Sequence, residues 1–289
     1  MFIIFSIIIL KYKNMKVCLC TIGKKENLYI KEFVEHYKNL GYNHLFIYDN
    51  NDINEEKFQD VLNYNITKNF ISIINYRGYR GKNGKPQFHA YYDCYKKNHK
   101  NYDWLSFFDI DEFLELKHSY KKIKDFLKNK KFEKCQNIKI NWLMYSDNGL
   151  LRYENKPIKE RFTSPIFNDP ANIYIKSTVK GNLKINYWKN MNNPHSSHNN
   201  YVSCDPSGKI ISSKKFYVIP INYKYAVLRH YATKTIEEYC LKIKRGRADT
   251  KVILNHKTLE DKFKYFFLRN KKNKFKLNYI KKIFNITIK

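Results

Sequence analysis

The chain has 289 residues, 43% of them hydrophobic, and a formal charge of +29. That much apolar material excludes a disordered segment and suits one α/β domain of ordinary size or two small ones. The basic excess favours anionic partners such as nucleotides or phospholipid surfaces, although lysine crowded among Asn, Ile, Tyr and Phe also matches a bias toward AT-rich codons.

The N-terminus reads "MFIIFSIIILKYKNMKV". Its apolar run, Phe2 to Leu10, is far short of the roughly 20 residues a spanning helix needs. It also lacks the basic start and small-residue cleavage site of a signal peptide. Met15 is the expected true start, with residues 1–14 a start-site artefact; a short membrane-dipping segment is the alternative. "MKVCLCTI" follows as a buried strand, then a polar loop. "LYIKEFVEHYKNLG" has helical spacing and Gly41 as its stop. "HLFIYDN" is a second strand ending in Asp49 and Asn50, "NEEKFQDVLNYN" a helix and "FISIINY" a third strand. Alternating strands and helices predict βαβ units and a parallel sheet, with a ligand crevice at the strand C-termini.

A Gly-rich loop, "RGYRGKNGKPQ", leads to the helix "FHAYYDCYKKNHK" and the strand "WLSFFDIDEFLEL". "CQNIKINWLMYSDNGLL" gives a strand and a turn. Residues 152–215 read as irregular, and "YAVLRHYATKTIEEYCLKIKRGRAD" as a strand and a helix with a basic end. Residues 15–250 make the expected domain. Residues 251–289, where lysine alternates with Phe, Tyr, Leu and Ile, read as a basic amphipathic tail that could lie on an anionic membrane or, equally, pack on its own domain with a solvated basic face. The six cysteines show no zinc spacing, so a reducing, cytoplasmic setting is expected, peripheral on the membrane if the tail docks there. There is no Walker loop and no GxGxxG after the first strand.

The informative segment is Trp104 to Leu116. An apolar strand ends in Asp109, Asp111 and Glu112. On an extended backbone Asp109 and Asp111 point the same way. Two carboxylates converging at the rim of a buried sheet repel and lose solvation. Protonation, basic side chains or a divalent cation would relieve that cost. Mn²⁺ or Mg²⁺ bridging the carboxylates to a diphosphate makes a nucleotide-diphosphate site.

These motifs resemble the GT-A glycosyltransferases, and more narrowly glycosyltransferase family 92 and the bacterial family-2-like glycosyltransferases. The likeness runs in order through "CTIGKKENLYIKEFVEHYKNLGYNHLFIYDNN", "QFHAYYDCYKKNHKNYDWLSFFDIDEFLEL", "INWLMYSDNGL", "ERF" and "LRHYATKTIEEYCLKIKRG", over about residues 16–249. It implies an α/β, Rossmann-like nucleotide-diphospho-sugar transferase fold of three layers with a mostly parallel central sheet. It also implies sugar transfer from a nucleotide sugar, with UDP favoured, to a glycan or lipid-linked acceptor. The expected setting is surface polysaccharide or lipopolysaccharide synthesis, with inverting stereochemistry. By the same resemblance Asp111 is a metal ligand, and Asp109 reaches the ribose or a metal-bound water. His230 is a further metal ligand, with His195 and His198 as lesser candidates. Thr21, Asp49 and Asn50 hold base and ribose, and Gln87 contacts the donor. Lys242, Lys244, Arg245 and Arg247 face the diphosphate or an anionic acceptor.

An inverting transfer also needs a base for the acceptor hydroxyl. Asp147, in a turn after a strand, is the first candidate and Glu160 the second. Trp142 is expected either to flank the acceptor sugar or to pack in the core. Two other classes compete. A glycoside hydrolase would need two carboxylates flanking one bond, about 5 Å or more apart, which a pair sharing one loop does not easily provide. A nucleic-acid-binding module would follow from the charge, but the lysines match no nucleic-acid fold, and no nucleic-acid partner is expected.

Overall fold

Val17–Gly23 (β1) is buried along nearly its whole length, and its alternation divides the protein into layers. Val17 and Leu19 join one hydrophobic cluster; Cys18 and Cys20 join another. A strand covered on both faces reads as a continuous apolar run, which is why the sequence shows no polar alternation there. This computed structural model describes residues 15–62, 69–80, 85–184, 195, 201–246 and 256–288.

On the first face lies α1 (Asn27–Asn39), which buries Tyr29, Ile30, Phe33, Val34 and Tyr37. Burying a side chain of Phe size contributes roughly 1.5–3 kcal/mol. Gly41, at φ +89°, ends α1 in backbone that glycine adopts without strain. His44–Asp49 (β2) pairs parallel with β1. The predicted second helix is a single turn, Phe58–Val61 (α2), before residues 63–68, which lie outside the description. Ile71–Asn75 (β3) pairs parallel with β2. On the other face α3 (Pro86–Asn98) sets Ala90, Tyr91, Cys94 and Tyr95 against the sheet. Trp104–Phe107 (β4) pairs parallel with β1, so β3-β2-β1-β4 form a parallel half.

The second half corrects the expectation of a mostly parallel sheet. Glu112–Leu116 (β5) follows β4, then α4 (Ile123–Leu127) and Asn137–Tyr145 (β6). Ile158–Arg161 (α5) and Pro165–Ile166 (β7) precede Ile175–Lys180 (β8), which runs antiparallel to both β4 and β6. Ser203–Cys204 (β9) and Ile210–Ile211 (β10) extend that edge. Ala226–His230 (β11) pairs antiparallel with β5 and parallel with β6. The sheet is therefore mixed, and the three-layer α/β expectation stands with that change.

Residues 256–288 are no loose tail. Helices α7 (His256–Phe267) and α8 (Lys274–Phe284) share one apolar cluster with α6 (Ile236–Arg245), built on Ile236, Tyr239, Ile243, Phe263, Phe266 and Ile280. Two buried ion pairs, Arg269 with Asp169 at 2.6 Å and Lys276 with Asp147 at 2.5 Å, fasten them to the sheet. Among the described residues no helix is long and apolar enough to cross a membrane. Cys135 and Cys204 form a disulfide, which departs from the expectation of six reduced thiols; Cys18, Cys20, Cys94 and Cys240 are free and buried.

Candidate active site

The acidic segment is a turn, not the end of a straight strand. β4 stops at Phe107 and β5 starts at Glu112, with Asp109–Asp111 between. The Glu112 N–H donates to the Asp109 carbonyl at 3.0 Å, and the Asp109 N–H donates to Glu112 Oε2 at 2.8 Å. The reversal gives the two aspartates different partners, where an extended backbone would have turned both toward one.

Asp109 Oδ1 accepts from Gln87 Nε2 at 2.6 Å, the Tyr91 hydroxyl at 3.1 Å and Lys176 Nζ at 2.8 Å. Lys176 is fully buried on β8 and also lies 3.9 Å from Glu112 Oε1. Burial is the largest single influence on Asp109 and would raise its pKa, but the charge and hydrogen bond of Lys176, with His195, together hold the carboxyl below the usual range. Glu112 goes the other way: burial pushes it well above that range, against Lys176 and with the help of the Asp109 and Asp111 charges.

Asp111 faces β11 and α6. Its Oδ2 accepts from Lys242 Nζ at 2.9 Å and lies 3.9 Å from Lys234 Nζ; its Oδ1 is 3.5 Å from His230 Nε2. Burial opposes ionisation, yet Lys242, His230 and Lys234 together hold this carboxyl well below the usual range. Burial lowers the pKa of His230, with Asp111 opposing. The Trp142 ring lies 4.3 Å from that of His230 and 5.0 Å from that of His195, so the aromatic expected beside an acceptor borders the cluster, though it is only 8% exposed.

Two strands away on the same edge is a cavity of about 490 Å³ lined by Asp49, Lys57, Gln59, Ile73, Asn75 and Arg77. Gly23 pairs with Asp49, and Cys20 with Phe107, so β1 alone separates the two regions. At about 4.8 Å per strand they lie roughly 10 Å apart. Asp49 Oδ1 accepts from the Asn51 backbone and side chain at 3.0 and 2.7 Å, and Oδ2 pairs with Arg77 at 3.2 Å.

Other expected site residues take structural work. Asn50 is a brace, donating to the carbonyls of Tyr76 and Tyr79 at 2.9 and 2.7 Å. Thr21 is buried on β1, and its hydroxyl has no partner among the described residues. Arg245 bonds Glu26 and the Lys24 and Lys25 carbonyls, tying the end of α6 to the loop after β1. Asp147 is 2% exposed and locked to Lys276, with Oδ1 accepting the Gly149 N–H at 2.8 Å. A buried carboxylate already paired would have to leave Lys276 before it could take a proton from an incoming hydroxyl. Glu160 is exposed on α5. His198 and Arg247 lie outside the described residues. Lys176 and Lys234 were missed. Lys234 directly precedes Thr235, whose "TIEE" capping box marks the start of α6, and that was its only signal.

The expected Mn²⁺ or Mg²⁺ can be tested against these donors. Asp109 Oδ1 already has three donors, and Asp111 Oδ2 holds Lys242 with Lys234 close by. Asp109 Oδ2, on a side chain 31% exposed, and Asp111 Oδ1 beside His230 Nε2 keep lone pairs, but among the described residues no group of three His, Cys, Asp or Glu gathers to hold a metal. At ~4 Å and an effective dielectric of 20, unit charges interact by about 4 kcal/mol, so a dication and an ammonium repel by about 8 kcal/mol. The lysines as placed do not fit a divalent ion at Asp111.

The sequence profile of glycosyltransferase family 92 matches residues 13–284. A family 92 protein of Oryza sativa subsp. japonica is 27% identical over 108 residues, which is 35% of this chain and 16% of that protein. One from Ricinus communis is 29% identical over 107 residues, 35% of this chain and 16% of that protein. The match thus spans about a sixth of each relative's length. Among solved structures, Staphylococcus aureus TarS 1–349 in complex with UDP-GlcNAc superposes with a TM-score of 0.41 at 11% identity, covering 88% of this chain and 72% of that one. With the profile spanning nearly all of it, this chain belongs to glycosyltransferase family 92.

Proposed function

We propose that the chain transfers a sugar from a nucleotide sugar to a hydroxyl of a glycan or lipid-linked acceptor, in the synthesis of a surface polysaccharide or lipopolysaccharide. Beyond family membership, one observation carries this reading: the Asp49–Arg77 cavity and the Asp109–Asp111 turn open on one sheet edge with a single strand between them. Gln59 and Asn75 supply both donors and acceptors to a base, Lys57 supplies positive charge, and Arg77, bonded to Asp49 and to the Asp52, Ile53, Glu55 and Glu56 carbonyls, holds the cavity wall in place. UDP is the first donor base to test. The acceptor oxygen bonds to the anomeric carbon, and the bond from that carbon to the phosphate oxygen breaks. The electron pair leaves with the diphosphate. The hydroxyl proton goes to a base for which Asp147 and the exposed Glu160 are the sequence candidates, and Trp142 borders the acceptor side.

The test is a thermal-shift screen of UDP, GDP and CMP and their sugars. One nucleotide should stabilise the chain selectively, and Arg77→Ala should lose that shift. A chain indifferent to all of them would refute the reading.

A further inference from the structure

We propose that the ammonium groups of Lys234 and Lys242, rather than a divalent cation, hold the donor's diphosphate, and that Asp111 is the anion that keeps both in place until the nucleotide arrives. This rests on the nucleotide-sugar reading above and adds which groups neutralise the departing charge.

Lys242 reaches Asp111 Oδ2 from α6 and has the Ala232 carbonyl as a second acceptor at 3.0 Å. Its side chain is 33% exposed, so it can turn to an incoming anion without crossing the core. Lys234 comes from the turn before α6. Its φ of +54° is backbone that a residue with a side chain seldom adopts. There its ammonium lies 3.9 Å from Asp111 Oδ2 and 4.2 Å over the Tyr29 ring, nearly closed off from solvent. Lys176 occupies Asp109 from β8, so that carboxylate has its own counter-ion.

Around the turn Lys176, Lys234 and Lys242 face Asp109, Asp111 and Glu112, and because burial favours the neutral form of Glu112 the lysines outnumber the ionised carboxylates before any ligand binds. A diphosphate ester brings two negative charges. Phosphate oxygens replacing Asp111 on Lys242 would form charge-assisted hydrogen bonds, with lysine acting as a point charge on phosphate. Asp111 then stabilises the empty site and competes with the nucleotide. This gives it the opposite sign to a metal ligand, whose removal would weaken nucleotide binding.

The experiment is calorimetric titration of the full chain with UDP, in EDTA and in Mn²⁺ at constant ionic strength. Binding should persist in EDTA with little change in Kd. Lys242→Met should weaken it about tenfold or more, Lys242→Arg should retain most of it, and Asp111→Asn should bind at least as tightly as the native chain. Should Lys242→Met unfold by stranding Asp111, the Asp111→Asn/Lys242→Met double variant strands no charge and should show the same loss. Binding that requires Mn²⁺, disappears in Asp111→Asn and survives Lys242→Met would overturn the proposal and leave the nucleotide-sugar reading intact. Failure to bind any nucleotide, with or without Mn²⁺, would overturn both.

Discussion

The two halves of the sheet are held together by different kinds of information. In the β1–β4 half every strand and its helix are close in sequence, and apolar side chains at regular spacing meet across the sheet. The half built on β6, β8 and β11 has an apolar core too, but the segments packed around it are also joined by buried ion pairs far apart in the chain: Arg269 with Asp169, Lys276 with Asp147 and Arg161 with Glu238. Burial of apolar surface tolerates approximate partners, whereas a buried charge needs one specific counter-ion.

The largest effect that would sharpen this contrast is at Arg269. Arg269→Ala strands Asp169, and both side chains are 1% exposed, so stability should fall by about 3–5 kcal/mol in urea titration. The Asp169→Asn/Arg269→Ala double variant should recover more than half of that. Equal losses in the single and double variants would mean that packing, not charge pairing, closes this half.

A smaller effect probes the first half. On α1, His36 Nε2–H donates to the Leu114 carbonyl at 2.9 Å and Nδ1 accepts from Lys159 Nζ at 3.1 Å, with Arg229 also acting on the ring. Burial first, and Lys159 second, lower its pKa from 6.5 to about 3. The folded chain therefore binds fewer protons here than the unfolded one between those values. The contribution is complete above the unfolded pKa and declines as pH falls through the interval, by up to about 1.4 kcal/mol per pH unit. Urea titrations at pH 7 and pH 5 should show that decline, and His36→Gln should flatten it; an unchanged slope in the variant would show that other groups set the acid response.

The same division governs what could be read without coordinates. β1, β2, β3, α1 and α3 follow from apolar spacing and from Gly41. Gln87 lies 2.6 Å from Asp109, and Asp111 lies 3.5 Å from His230, pairs that the family resemblance had assigned to one site. The pairing of Asp147 with Lys276 could not be read in advance, because nothing near Asp147 in the sequence announces a lysine 129 residues on. Lys176 was invisible for a related reason. It lies within residues 152–215, which read as irregular, and only the pairing of β8 between β4 and β6 buries it. The reversal at Asp109–Asp111 was also missed, since a strand pattern on either side of a short acidic turn looks continuous.

The most direct measurement is a crystal structure of the chain with UDP bound. The account predicts the nucleoside in the cavity against Asp49 and Arg77 and the diphosphate beyond β1 at Lys234 and Lys242. A nucleotide seated away from that edge, or one whose phosphates lie far from both lysines, would contradict it.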